Sequence, residues 1–382
     1  MAPAPSPREM LARLVAFPTV STQSNLPLVG FVEAWLAELG VASIRVPDPT
    51  GTKAGLLALV GPAAEGGVVL SGHTDVVPVT GQPWTGDPWT LREAGGRLIG
   101  RGTCDMKGFV AAALALVPEM LAAGLKRPIV LALTCDEEIG CLGTPPLIEA
   151  MLAAWPRPAA VIVGEPSEMR VVVGQKGSWG FRAQVRGHEV HSSLLHTGVS
   201  AVMEAASLID WMAGLMAESA RSTPPNGFDP PYTTVHVGMI SGGTANNITA
   251  RDCTFSGEVR LLPDESENDW RERIEAEAAR RQAALQFRHP HASIAFATRM
   301  SLPGFIADPA AEQLARELTG DHERHLVSYQ TEAGHFQAHG LPTVICGPGS
   351  IAQAHQPDEF ITAEQLDAGS AFIRRLIGRL AA

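Results

Sequence analysis

Five short stretches of the 382-residue chain carry side chains from which a catalytic site could be built. They are His73-Thr74-Asp75, Asp105 in RGTCDMKG (101–108), Asp136-Glu137-Glu138, Glu165-Pro166, and His355 in GPGSIAQAHQPDE (347–359). Imidazole nitrogen and carboxylate oxygen are both ordinary zinc ligands, and two histidines with three carboxylates suit a pair of divalent cations. Cations would also account for the acid run at 136–138. Adjacent carboxylates repel and burying an unpaired charge is costly, so a bare cluster would raise its own pKa values or unfold the strand end. Neighbouring residues at a strand end project in opposite directions, so Glu137 and Glu138 divide their roles. One can ligate while the other faces substrate as a proton carrier. Taken singly, each stretch has a plainer reading: an N-cap at Asp105, a solvated turn at 137–138, a hydrogen-bonded pair at His73 and Asp75. Their conjunction carries the argument.

Three of these stretches directly follow short apolar runs: VVLSG (68–72), IVLALT (129–134) and AVIVG (160–164). Continuous apolar runs separated by helix-like segments, such as 27–39 and 106–123, describe an α/β domain whose sheet is covered on both faces. In open α/β sheets the site lies beyond the carboxyl ends of the strands, so three strand ends would deliver His, Asp and Glu to one rim. A fourth run, PTVICG (342–347), returns to the same sheet, and the loop after it carries His355. A helix over 363–380 closes the chain.

The middle of the chain has another texture. GSWGFRAQVRG (177–187) alternates like a half-solvated strand, and a helix at 198–220, YTTVHVGMI (232–240) and DCTFSGEVRLL (252–262) follow. A charged helix and ASIAFA (292–297) complete the order strand–helix–strand–strand–helix–strand of a ferredoxin-like sandwich. A Pro- and Gly-rich loop, 222–232, interrupts it. The expected division is a catalytic α/β domain at 1–176 and 292–382, with 177–291 inserted into it.

A chain of this length exceeds the roughly 250–300 residues at which one core stops growing, in keeping with two domains. The formal charge of -11 argues against nucleic acid or an anionic membrane as partner. No basic n-region precedes an apolar stretch at the start, and no run of about 18 apolar residues occurs. The five cysteines are odd in number and scattered, which fits reduced thiols in a cytoplasm. Cys104 and Cys135 each neighbour a candidate ligand and so should point away from the metals.

The motifs SGHTDVVP, GRGTCDMKG, CDEEIG, VGEPS and QAHQPDE resemble those of the M20 family of dinuclear zinc aminoacylases and peptidases. They match most closely its acetylornithine deacetylases, through DEEIGCLGT and CGPGSIAQAHQPDEF. The resemblance spans nearly the whole chain. It implies a zinc-peptidase-like α/β catalytic domain with a mixed, largely parallel sheet, and an inserted α+β lid that also dimerises. It implies two Zn2+ per subunit, with Co2+ or Mn2+ as substitutes: one at His73, Asp105 and Glu165, the other at Glu138, Asp105 and His355. Asp105 would bridge them, with a cis peptide before Met106. Glu137 would be the general base, and Asp75 would orient His73. GHEVHSS (187–193) matches a stretch whose histidine, here His191, reaches into the partner subunit's site. GGTANNI (242–248) matches a substrate-contacting segment, which points to Asn247 or, one residue earlier, Asn246. Arg260 in GEVRLLP corresponds to an arginine that receives the substrate α-carboxylate.

The activity so implied is metal-dependent hydrolysis of the amide bond of an N-acyl-L-amino acid, with N2-acetyl-L-ornithine, in arginine biosynthesis, the first candidate. Succinyl-diaminopimelate desuccinylases of this family carry T-S-D-G-R where this chain reads TEAGHFQ (331–337). The change removes an arginine and adds Glu332, which suits a substrate with a cationic side chain. Another N-acyl-amino-acid amidohydrolase, a desuccinylase or a dipeptidase is the alternative within this chemistry. A metal-binding homologue without catalysis is the alternative outside it.

Overall fold

A computed structural model describes residues 4–382. The chain divides into two compact units. The first runs up to Gly174 and takes in Ile306–His325 and Thr331–Ala382; the second comprises Gln175–Phe305 and Leu326–Gln330.

The first unit is α/β with a mixed sheet. Its four central strands are parallel and lie in the order Ile129–Thr134, Val68–His73, Ala160–Pro166, Thr343–Gly347. Every residue of these four strands is buried. That is the arrangement continuous apolar runs require, because both sheet faces are covered. Ala54–Val60 and Ser43–Pro47 extend one side antiparallel, and Val172–Gln175 flanks the other. Because the central strands run the same way, His73, the acids after Thr134, Glu165 and the loop after Gly347 all emerge at one edge. The expected helix at 27–39 is Leu26–Glu38. The stretch expected as one helix over 106–123 is instead two, Lys107–Ala115 and Val117–Ala122, broken before Pro118, whose ring cannot continue the hydrogen-bond ladder. A small antiparallel sheet of Phe360–Thr362, Arg97–Ile99 and Arg92–Ala94 holds the end of the His355 loop beside the segment leading to Asp105.

The second unit is a four-stranded antiparallel sheet in the order Thr234–Gly242, Asp252–Leu261, Gly177–Arg186, Ser293–Leu302. Helices Ala201–Ser222 and Glu267–Arg288 pack on one face over a core that includes Trp179, Phe181, Phe255, Leu208 and Ile274. The element order is the ferredoxin-like one. Its boundary differs from the expected 291: Ser293–Leu302 pairs along its length with Gly177–Arg186, so the unit runs to Phe305.

Candidate metal centre

His73 is the last residue of a buried strand and is itself fully buried. Its Nδ1–H donates to the backbone carbonyl of Asp75 at 2.8 Å, which turns Nε2 toward the acids. Nε2 lies 2.9 Å from Asp105 Oδ1 and 3.7 Å from Glu165 Oε1. The other oxygen of Asp105, Oδ2, lies 3.2 Å from His355 Nε2, which in turn is 3.0 Å from Glu138 Oε2. Asp105 therefore shows one oxygen to each imidazole. The peptide bond from Asp105 to Met106 is cis. Glu137 reaches the His73 side: its ligand atoms and those of His73 and Glu165 lie within 4.8 Å of one another, as do those of His73, Asp105 and Glu138.

Four carboxylates and two imidazoles thus share one pocket, and their ionisation shows the strain of it. Burial pushes Glu137 and Glu165 well above the usual carboxylate range, and burial with the charge of Asp105 raises Glu138. Burial also opposes the charge on Asp105, but hydrogen bonds to His355 and His73 outweigh it and hold that carboxyl low. Hydrogen bonding to Asp105 and Glu138 lifts His355 to about 10. Burial works against a charged His73, yet Asp105 and the surrounding acids keep its pKa well above the ordinary value. Glu165 Oε1 is buried with no hydrogen-bond partner. A buried carboxylate oxygen left unpaired beside an imidazole is what a cation site needs, and the donor set fits divalent metal.

Two expectations change at this point. The carboxylate of Asp75 does not orient His73, because its Oδ1 is 3.8 Å from Nδ1 and the carbonyl does that work. Instead it accepts from the Ser21 hydroxyl at 2.7 Å and from the backbone N–H groups of Glu137 and Glu138 at 3.2 and 3.3 Å, fixing the turn that aims both acids. Glu332 does not face a substrate. It is fully buried at the start of the helix Ala333–Ala338 and accepts from the hydroxyls of Ser71, Thr134 and Thr144 at 2.6, 2.7 and 3.3 Å.

Glu359, the last residue of the QPDE motif, is a functional residue that the motif alone does not reveal. It is buried and accepts from the backbone N–H groups of Gly102, Cys104 and Asp105 at 2.9, 2.9 and 3.0 Å and from Arg101 at 2.8 Å. It therefore shapes the loop that presents Asp105.

Residues 69–379 match the model of peptidase family M20/M25/M40. The acetylornithine deacetylase of Pasteurella multocida is 33% identical over 390 residues, covering 98% of each chain. That of Myxococcus xanthus is 35% identical over 383 residues, covering 98% of this chain and 97% of its own. Among solved structures, an M20 family metallo-carboxypeptidase from Sulfolobus solfataricus aligns with a TM-score of 0.77 at 16% identity over 99% of both chains. The chain belongs to the M20/M25/M40 peptidase family. As a member it is a metal-dependent amidohydrolase.

The remaining residues expected from the M20 resemblance lie in the second unit. His191 is exposed, with Nδ1 engaged by Ser193 through its amide N–H at 3.2 Å and its hydroxyl at 2.8 Å. Asn247 is exposed beside it: its carbonyl accepts from Ser192 N–H at 2.9 Å, and His191 and Ile248 form a β-bridge. The structure brings these two together. Arg260 stands apart on Asp252–Leu261, ion-paired with Glu258 at 2.8 Å and donating to the Ser328 carbonyl at 3.1 Å. All five cysteines are unpaired and buried. Cys104 Sγ–H donates to the Ser350 carbonyl at 3.3 Å, and burial drives its thiol pKa far up.

Proposed function

We propose that this enzyme hydrolyses the amide bond of an N-acyl-L-amino acid, with N2-acetyl-L-ornithine as the preferred substrate. The observation that carries the chemistry is the division of Asp105 between two imidazoles, with the carboxylate of Glu137 beside His73 and Glu165. His73, Asp105 and Glu165 would hold one divalent cation, and Glu138, Asp105 and His355 the other, with Zn2+ the first choice and Co2+ or Mn2+ able to substitute. Such a pair would supply Lewis-acid polarisation of the amide carbonyl and acidify a water held there. Glu137 would take the proton from that water and return it to the departing amine. The turn fixed by Asp75 keeps Glu137 and Glu138 in their separate roles.

The preference for acetylornithine rests on the motifs and on the relatives, since the burial of Glu332 removes it as a partner for a cationic side chain. Arg260 would receive the α-carboxylate, and Asn247, or Asn246 beside it, would contact the acyl amino acid. A cytoplasmic setting is supported by the five unpaired cysteines, and no helix among the described residues is long and apolar enough to cross a membrane.

His191 would donate to the oxyanion in a second copy of the chain, so the enzyme would be a homodimer through its second unit. Exposed Met239 and Ile240 on the edge strand Thr234–Gly242, and Met203 on the neighbouring helix, offer an apolar surface for that contact. His191→Ala should fold and keep its metal but turn over roughly 10²–10³-fold more slowly. Exchanging its subunits with Glu137→Gln should restore activity, because a mixed dimer holds one complete site; no regain in verified mixed dimers would exclude donation in trans. Rates on a panel of acetylornithine, acetylmethionine, succinyl-diaminopimelate and dipeptides test the substrate. A faster neutral or succinylated substrate would replace acetylornithine, and inactivity of metal-loaded protein on all of them would make it a binding homologue.

A further inference from the structure

We infer that Gln82 is a positioning residue for His355, and through it sets the affinity of one of the two cation sites. This rests on the ligand reading of His355 given above. The side-chain amide of Gln82 donates through Nε2 to the carbonyl of His355 at 2.8 Å. Its oxygen is taken by two donors, Trp84 Nε1–H at 3.0 Å and Arg101. Those two donors decide which end of the amide is oxygen, so the N–H end must face His355. Arg101 is itself buried, paired with Glu359 at 2.8 Å and lying over the Trp84 ring at 5.0 Å.

His355 needs such a support. Its side chain is 51% exposed, and among the described residues its Nε2 pairs with Asp105 and Glu138. Its backbone has φ of +61°, in the left-handed region that side-chain-bearing residues seldom occupy. A loop residue in that conformation aims its ring correctly only while the peptide planes on either side of it are held. The next carbonyl, that of Gln356, accepts from Arg101 at 3.3 Å, which leaves the peptide plane after His355 itself to Gln82.

The test compares two near-isosteric variants. Gln82→Glu keeps an acceptor for Trp84 and Arg101 but cannot donate to His355; Gln82→Met loses both functions. Metal-loaded wild type, both variants and His355→Ala are equilibrated against buffers of graded free Zn2+, and bound zinc is measured by atomic emission. Thermal unfolding is followed at saturating zinc. Both Gln82 variants should bind one zinc equivalent about 10- to 100-fold more weakly, the effect typical of losing an outer-shell support, with the other equivalent unchanged within about two-fold. The unfolding midpoint of Gln82→Glu should match wild type, whereas Gln82→Met, which leaves buried Arg101 without that acceptor, should unfold somewhat earlier. The inference is overturned if Gln82→Glu binds both equivalents as wild type does, or if both equivalents weaken together with a lowered midpoint. His355→Ala separates the two levels. If it keeps both equivalents at full affinity, the ligand reading fails and this inference with it. If it loses one while Gln82→Glu loses none, only the inference fails.

Discussion

His73 and His355 face the two oxygens of one carboxylate, yet the chain holds them by opposite means. His73 ends a buried parallel strand, is itself fully buried, and gives its second ring nitrogen to a backbone carbonyl two residues on. His355 sits in a loop with a half-exposed ring and left-handed backbone, tied by Gln82 and by its neighbours Asp358 and Glu359. One half of the centre is built into the sheet, where moving a ligand means breaking core packing. The other half is strapped on by side chains from the segment 82–105. Strand-borne ligands should therefore couple metal binding to the stability of the fold, while loop-borne ligands should couple it to local order alone.

The largest effect falls on neither half. Glu137→Gln should cut kcat by about 10²–10⁴-fold while both cations stay bound, because it removes proton transfer and not a ligand. Steady-state rates with metal analysis on the same preparation check this. If Glu137→Gln lost metal and Glu138→Gln kept it, the roles of the two acids would be exchanged.

Removing each histidine puts the comparison to a direct test. His355→Ala should reduce bound metal from two equivalents to one, with affinity for the lost equivalent down more than about 100-fold, since a ligand matters more than its outer-shell support. His73→Ala should lose both, because it also frees the Asp105 oxygen that faces it and leaves Glu165 without its imidazole neighbour. It should lower the unfolding midpoint of the metal-loaded protein as well, whereas His355→Ala should lower it less. Equal behaviour of the two variants would dissolve the distinction between the halves.

Acidity gives a third, smaller effect. In metal-stripped protein the native state holds protons that the unfolded chain releases: His355 titrates near 10 against an ordinary 6.5, and Glu137 and Glu165 lie well above 4.5. Where the native state binds more protons, stability falls as pH rises. The contribution of His355 is fully present below about 6.5 and lost as pH rises through about 10; that of the two acids begins to decline above about 4.5. Zinc must displace the same protons, so its affinity rises with pH over this window. Scanning calorimetry from about pH 5 to 8 should show the metal-stripped midpoint falling and the gap to the zinc-loaded protein widening. A metal-stripped midpoint that rises over that range would mean the acids are paired in some other way.

These two halves were also unequally legible in the sequence. Buried parallel strands write themselves as unbroken apolar runs, so His73, the acid run and Glu165 could be placed at one sheet edge from the runs before them. The supports of His355 could not be read this way: Gln82 and Glu359 act on partners more than 250 residues distant in the chain, and a loop has no periodicity to reveal it. Asp75 misled because an H-x-D pattern displays a carboxylate and hides the carbonyl that does the orienting. Glu332 misled because the motif comparison shows an added acid but not its surroundings, and its three hydroxyl partners lie in or beyond strands far away in sequence. The boundary at 291 fell short because it left out the strand Ser293–Leu302, which the sandwich order itself requires and which pairs with Gly177–Arg186.

The smallest effect separates the two kinds of support. Glu332 and Asp358 are both carboxylates that accept several hydrogen bonds near the centre. Glu332 lies under the strand ends, fully buried, with three hydroxyl donors aimed at it. Glu332→Gln replaces an acceptor by a donor among groups with no water to turn to, so it should cost about 1–3 kcal/mol in stability. Asp358, 30% exposed, takes Thr85 through amide and hydroxyl at 3.1 and 3.0 Å and Arg92 at 2.8 Å. Water can replace these bonds, so Asp358→Asn should change stability by no more than about 1 kcal/mol. It should nonetheless loosen the His355 loop and weaken one zinc equivalent, whereas Glu332→Gln should leave the ratio of kcat/KM for acetylornithine over acetylmethionine unchanged. Denaturant unfolding, zinc titration and that ratio, measured on both variants, distinguish the cases. A selective loss on acetylornithine in Glu332→Gln would return this residue to the substrate, and a larger stability loss in Asp358→Asn would show that the loop, too, is part of the core.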